Sequence, residues 1–251
     1  MVHPSLRALD HRPWPIPTAP WPIAQVWRSL LFAHWRIPAD SLRPQIPECL
    51  EIDTFDGSGW IGVVPFFLIV RPRFVPPIPR VFTFPELNVR TYVRFGDKPG
   101  VWFFSLDARN PVAAWAARRS FHLPYYHAKM SIDESPERVE FSSSRRRGGT
   151  ANFRASYRPS GEVLPVSEGS LEHFLTERYC LYAQSPRGIV RRTDVHHAPW
   201  PLQLAEAEIE ENSMISVTGL DVNGPPEQLH YASAIDVVNW LPERLELKER
   251  R

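Results

Sequence analysis

The 251-residue sequence has only two cysteines, Cys49 and Cys180, three lysines and 12 glycines. Two cysteines supply neither a disulfide framework nor a metal knuckle, and a reducing compartment is the default for such a chain. Few glycines beside 27 prolines exclude a flexible low-complexity protein and fit strands that start and stop at prolines. Neither sign of charge is in excess. With 29 basic and 28 acidic side chains the net charge is +1, which excludes a strongly basic nucleic-acid binder and an acidic solvating chain. Long apolar runs are missing as well. The most apolar stretch, 60–70, contains Pro65 and stops at Arg71, too short to span a bilayer. The opening MVHPSLRALDHRPWPIP lacks the apolar region of a secretory signal, so the cytoplasm is the expected setting. Phosphate-cradling glycine motifs and the GxSxG elbow are absent, which leaves nucleotide-dependent and α/β-hydrolase chemistry unsupported; Ser105 and Asp107 in FFSLD have no elbow around them.

What is present is apolar and aromatic: 43% hydrophobic residues, with nine tryptophans and 14 phenylalanines. Pro22 opens the run IAQVWRSLLFAHW, whose apolar spacing predicts a helix over 23–35. Asn110 followed by Pro111 reads as a cap and first turn for VAAWAARRSF. Ser170 with Glu172 marks a third helix start. The rest reads as short strands. The turns DGSG and GDKPG each join two of them into an expected hairpin, 50–54 with 60–69 and 86–95 with 101–106. Further strands are expected at 124–132, 138–144, 151–157, 179–183, 188–196, 202–210 and 229–239. Many short strands with few helices favour an antiparallel barrel or a pair of sheets. The Pro-rich start, 1–20, and the charged tail, 242–251, read as peripheral.

Three stretches carry candidate chemistry. In FPELNVRTYVRF, strand alternation puts Glu86, Asn88, Arg90, Tyr92 and Arg94 on one face and Leu87, Val89, Thr91 and Val93 on the other. The polar face either meets water or lines a pocket. In LPYYHAKM, Tyr125, His127 and Lys129 share a face, a set able to act as acid, base and amine. The plainer alternative packs Tyr126 and Met130 inward and leaves those three in solvent. Lys98 sits in a turn and Lys248 in the tail, so Lys129 is the one lysine suited to a Schiff base. In HHAPWPL, neighbouring histidines on a strand point oppositely, and no HExxH or CxxC accompanies them; a corner with Trp200 packed and one histidine inward is expected rather than a metal site. The run Arg145-Arg146-Arg147-Gly148-Gly149 reads as a solvated hairpin tip, with phosphate binding as the other option.

Taken together, ELNVRTYV, VWFFSLDARNPVAAWAARRSFHLPYYHAKM, FLTERYCLY, HHAPWPL and HYASAIDVVNW resemble the YqjF-like family of the acetoacetate decarboxylase-like superfamily, over residues 14–240. The resemblance implies a mainly β protein: one antiparallel β-barrel or cone over 1–251 as a single domain, with an internal cavity and a few peripheral helices. In acetoacetate decarboxylase a lysine forms a Schiff base beside a helper lysine. The matching positions here hold Tyr125 and Tyr126, so the resemblance implies something other than a true acetoacetate decarboxylase. Lys129 stands about 13 Å further along a regular strand. The superfamily's site carboxylate maps to Glu86, and Arg90 suits a substrate carboxylate held bidentately.

Two function classes follow. In the first, a lyase-type enzyme acts on a small carbonyl compound or carboxylic acid. Arg90 anchors the acid among Asn88, Tyr92 and Tyr126, Tyr125 and His127 move protons, Glu86 orients them, and Lys129 is a displaced amine. In the second, a non-catalytic cavity binds an apolar or aromatic small molecule. Neither invokes a cofactor, a metal, nucleic acid or a membrane. Superfamily relatives often assemble, which leaves a homo-oligomer open.

Overall fold

A computed structural model describes residues 2–74 and 82–246. In chain order the elements are β1 (Ile23–Ile37), α1 (Ala39–Leu42), β2 (Glu51–Ile52), β3 (Gly59–Pro72), β4 (Thr83–Phe95), β5 (Lys98–Ala108), α2 (Pro111–Phe121), β6 (Tyr125–Glu134), β7 (Val139–Arg145), β8 (Ala151–Ser160), α3 (Leu171–Thr176), β9 (Cys180–Gln184), β10 (Val190–His197), β11 (Leu202–Asn212), β12 (Gln228–Asn239) and β13 (Glu243–Arg244).

The expected helix over 23–35 is instead the strand β1, paired with both β12 and β3. Residues 29–35 are buried without interruption. A strand covered on both faces reads as a continuous apolar run, which spacing alone does not separate from a helix. A bulge adds to the resemblance. Ser29 has φ +52°, and the register with β3 slips by one residue between Arg28 and Ala33. The slip brings Trp27 and Leu30, three apart, to the same side, which imitates helical spacing.

The other two helices form where their caps stand. The Asn110 side chain accepts from the Val112 and Ala113 amides at 2.9 and 3.1 Å, and His122 closes α2 in the left-handed region at φ +56°. The Ser170 hydroxyl accepts from the His173 amide at 3.1 Å to start α3. The GDKPG turn joins β4 and β5 as expected, with Phe95 opposite Lys98 and Gly96 at φ +60°. At DGSG, Phe55 and Ser58 do exchange backbone hydrogen bonds. Yet β2 pairs with β4 rather than β3, so this turn does not close the expected hairpin.

The thirteen strands form one mixed sheet that closes on itself. Most pairings are antiparallel; β5 pairs in parallel with β6 and with β9, a departure from an all-antiparallel barrel. The sheet branches at β5 and β12. One branch, through β6, β7, β8 and β11, closes a larger ring; the other, through β9 and β10, closes a smaller one. The wall β12–β1–β3–β4–β5 belongs to both rings, so its two faces front separate cores. Leu31, Val63 and Leu87 join Phe141 and Phe153 in the larger ring, and Leu30, Val64 and Phe66 join Val195 and Val237 in the smaller one.

The chain ends are less peripheral than their composition implies. Arg12 forms a buried ion pair with Asp194 at 2.6 Å, and the Trp14 indole donates to the same carboxylate at 2.8 Å. His196 hydrogen-bonds the Ser5 carbonyl at 2.9 Å. This cover buries both His196 and His197, where one inward histidine was expected. At the other end, β13 pairs with β10 and Leu245 is buried.

Candidate functional site

The smaller ring holds a cavity of about 300 Å³. Its long wall is built by alternation. Glu86, Asn88 and Arg90 of β4 point into the cavity, next to Val64, Phe66 and Leu68 of β3, while Leu87 and Val89 point into the larger ring's core. A bulge opposite Arg90, where the partner register jumps from Ser105 to Phe103, turns both Phe103 and Leu106 of β5 to the cavity. Ala113 and Ala117 of α2, Thr193 and Val195 of β10, and Trp27 and Trp200 complete much of the enclosure.

Within this mostly apolar space the polar groups are few and oriented. The Tyr125 hydroxyl donates to Glu86 Oε2 at 3.0 Å. Burial, with the nearby Asp107 carboxyl adding to it, pushes Glu86 up to about 8 against the Tyr125 hydrogen bond, which favours the anion. Burial and the Glu86 carboxyl likewise hold the Tyr125 phenol well above its ordinary range. Behind them, on the larger ring's side, Asp107 and Arg145 form an ion pair at 3.0 Å with both side chains almost wholly buried. The Arg145 guanidinium also lies 4.2 Å over the Tyr126 ring.

Arg90 is fixed from the other end. Its Nη2 donates to the Leu175 carbonyl at the end of α3 at 3.1 Å, and its guanidinium sits 5.2 Å over the Phe32 ring. The Tyr92 hydroxyl donates to the same carbonyl at 2.8 Å and lies 2.6 Å from His34 Nε2. Because the Tyr92 proton is committed to Leu175, His34 Nε2 is the donor in that contact. Burial first, then Arg90 and His230, hold the His34 imidazole well below its ordinary range, hence neutral. Gly62 makes room for this arrangement, since a Cβ there would stand 2.8 Å from the imidazole. Two buried groups on the cavity wall, Asn88 Oδ1 and Arg90 Nε, have no hydrogen-bond partner among the described residues. Buried polar atoms are normally satisfied, so these two are available to an occupant.

The sequence-derived candidates therefore divide. Glu86, Asn88, Arg90 and Tyr125 line one cavity. Tyr92 is buried behind Arg90 and holds α3 rather than facing the cavity. Tyr126 points to the opposite side of β6 from Tyr125, toward Arg145 and Gly148. His127 and Lys129 share Tyr125's face but are exposed and lie outside the cavity lining. Lys98 is also outside the cavity lining, and Lys248 lies outside the described residues. The Arg145–Asp107 pair was missed because RRRGG reads as a solvated tip; the four residues after Arg145 are exposed, but Arg145 itself is buried. The available signal was parity, as Val139, Phe141, Ser143 and Arg145 all point inward on β7. Among the described residues no cluster of three or more His, Cys, Asp or Glu is placed to hold a metal ion, and no helix is long and apolar enough to cross a membrane.

Comparison with known proteins agrees with this architecture. Residues 24–236 match the model of the DUF2071 family of uncharacterized conserved proteins. The chain belongs to this family. Over 226 residues it is 42% identical to uncharacterized protein YqjF of Bacillus subtilis (strain 168), covering 90% of this chain and 93% of that one. DUF2071 shares its fold with more distant solved structures. Acetoacetate decarboxylase from Legionella pneumophila superposes with a TM-score of 0.63 at 12% identity, covering 94% of this chain and 93% of the other. The enduracididine biosynthesis enzyme MppR, complexed with the condensation product of pyruvate and imidazole 4-carboxaldehyde, gives 0.64 at 12% identity and 90% of each chain. An acetoacetate decarboxylase-like enzyme from Sphingomonas wittichii RW1 gives 0.64 at 14%, over 95% and 98%. This family member thus has the acetoacetate decarboxylase-like fold, mainly β with a ring-closed sheet.

Proposed function

We propose that the protein is a lyase-type enzyme that binds a small carbonyl-bearing carboxylic acid in this cavity and moves a proton at the carbon next to the carbonyl. The observation that carries the reading is the buried Glu86–Tyr125 hydrogen bond on the same wall as the unpartnered Asn88 Oδ1 and Arg90 Nε. Arg90 offers N–H donors to the substrate carboxylate, a charge-assisted pairing strengthened by burial. Glu86 sits at about 8, close to the pH at which a general base works best. In its carboxylate form it takes the C–H proton; the C–H pair becomes the C=C bond and the carbonyl π pair moves onto oxygen. Glu86 then hands the proton to that oxygen, and the enol hydroxyl so formed donates to Asn88 Oδ1. Tyr125 holds one Glu86 oxygen and so leaves the other for the substrate. The fold relatives are consistent with this, one of them holding a pyruvate-derived condensation product.

Among the described residues no lysine lines the cavity, so the reading uses proton transfer rather than a Schiff base. The same feature favours a second reading, in which the cavity holds its ligand without turning it over. Exchange of the methyl protons of pyruvate for deuterium, followed by NMR, separates the two. Catalysed exchange that drops at least about 100-fold in Glu86→Gln supports proton transfer. Exchange no faster than buffer refutes it, and a melting temperature still raised by the acid then assigns a binding protein.

A further inference from the structure

The cavity is too large for a three- or four-carbon acid, and its charged side chains, Glu86 and Arg90, stand on one strand. At about 30 Å³ per water, 300 Å³ corresponds to about ten non-hydrogen atoms. Pyruvate has six and a four-carbon oxo acid seven. Strand register orders what lines that space. On β4, Arg90 and Phe84 are six residues apart, about 20 Å along the strand, with Asn88 and Glu86 between them. Opposite Asn88 stands Val64, opposite Glu86 stands Phe66, and opposite Phe84 stands Leu68. On these two strands the polar groups thus start at the Arg90 end, under the carbonyl of α3, and give way to Phe84 and Leu68; beyond them Gln25, opposite Val70, and Asn239 bring polar groups back to the lining. On the far side α2 presents alanines over its first two turns and a bulky residue, Phe121, only at its end. Ala113, Ala116 and Ala117 line the space, with Ala116 exposed at its rim. A helix that turned leucines this way would fill the volume beside Glu86.

We infer that the occupant is a carboxylic acid with an extended apolar body, a 2-oxo acid of about six to eight carbons or one bearing a phenyl ring, seated with its carboxylate at Arg90 and its body along α2. This deepens the proposed function and rests on its assignment of Arg90 as the acid anchor. Burying apolar surface favours binding in proportion to area, at about fourfold in affinity for each added methylene. The increments stop when the space is full.

Trp27 and Trp200, stacked 5.9 Å apart on the cavity lining, give an intrinsic fluorescence signal for the test. The purified protein is titrated with straight-chain 2-oxo acids of three to twelve carbons, with phenylpyruvate, and with alcohols of matching length. The expected result is affinity rising about fourfold per methylene to about eight carbons and then levelling. Ala117→Phe moves the levelling point down by about three carbons. Ala113→Leu, a smaller change on the same helix face, does so by about two and guards against a fold lost to phenylalanine. Arg90→Gln weakens every acid by a similar factor. Pyruvate binding as tightly as 2-oxooctanoate overturns the extended substrate while leaving the acid site standing. Alcohols binding as well as acids, or no acid binding at all, overturn the acid anchor and the extended substrate together.

Discussion

Replacing Glu86 by glutamine removes a carboxyl that the fold buries next to a cavity, and the consequence is a change in how stability depends on pH. The Glu86 carboxyl goes from an ordinary value of 4.5 to about 8 in the folded protein. Below 4.5 both folded and unfolded chains hold this proton, and the group contributes no pH dependence. Between 4.5 and 8 the unfolded chain releases it while the folded chain keeps it. Stability therefore falls as pH rises, by about 1.4 kcal/mol per pH unit and about 5 kcal/mol across the window. Above 8 the contribution is constant. Glutamine is nearly isosteric with the protonated acid, keeps an acceptor for Tyr125 and does not titrate. Urea unfolding at pH 5 should give wild type and Glu86→Gln similar stabilities. At pH 9 the variant should be the more stable by about 5 kcal/mol, a large share of a typical domain's total. Taking the difference between the two proteins at each pH removes most of the contribution of groups they share, Asp107 and the histidines among them. Parallel stability curves from pH 5 to 9 would refute the claim that Glu86 is buried as a neutral acid.

Arg145→Ala should cost about 3–5 kcal/mol in urea unfolding, because it strands the buried Asp107 carboxylate. The double variant Asp107→Asn/Arg145→Met should recover most of that, and a loss below 1 kcal/mol in the single variant would show that the pair is not buried as described. Gly62→Ala would put a methyl group 2.8 Å from the His34 ring and push it off the Tyr92 hydroxyl, at about 1–3 kcal/mol; an unchanged melting temperature would contradict the contact. His127→Ala and Lys129→Met alter exposed side chains and should shift stability by no more than about 0.5 kcal/mol, with acid binding unchanged. A tenfold loss of binding in either would bring β6's outer face back into the site.

Several features were legible in the sequence because they depend on neighbours in the chain. The Asn110 and Ser170 caps, the Gly96 turn and the common face of Glu86, Asn88 and Arg90 follow from local geometry: a side chain that reaches the next amides, a glycine that tolerates positive φ, and strand alternation. What lies above each face was not local. The run 23–35 has helix-like spacing, yet it becomes β1 because two strands and two cores take up its edges and faces, with a bulge at Ser29 that mimics a helical step. Tyr125, His127 and Lys129 share one side of β6, but only Tyr125 joins the cavity lining, so the three meet different surroundings despite equal parity. Arg145 is drawn from a polar turn into the interior because β5 places an unneutralised Asp107 there. The N-terminal segment is ordered against β10 by the Asp194 carboxylate. The sequence by itself determined the elements' local conformations and which side chains share a side. The tertiary structure alone decided which of those sides meet water, core or cavity, since burial and the pairing of buried charge depend on segments far apart in the chain.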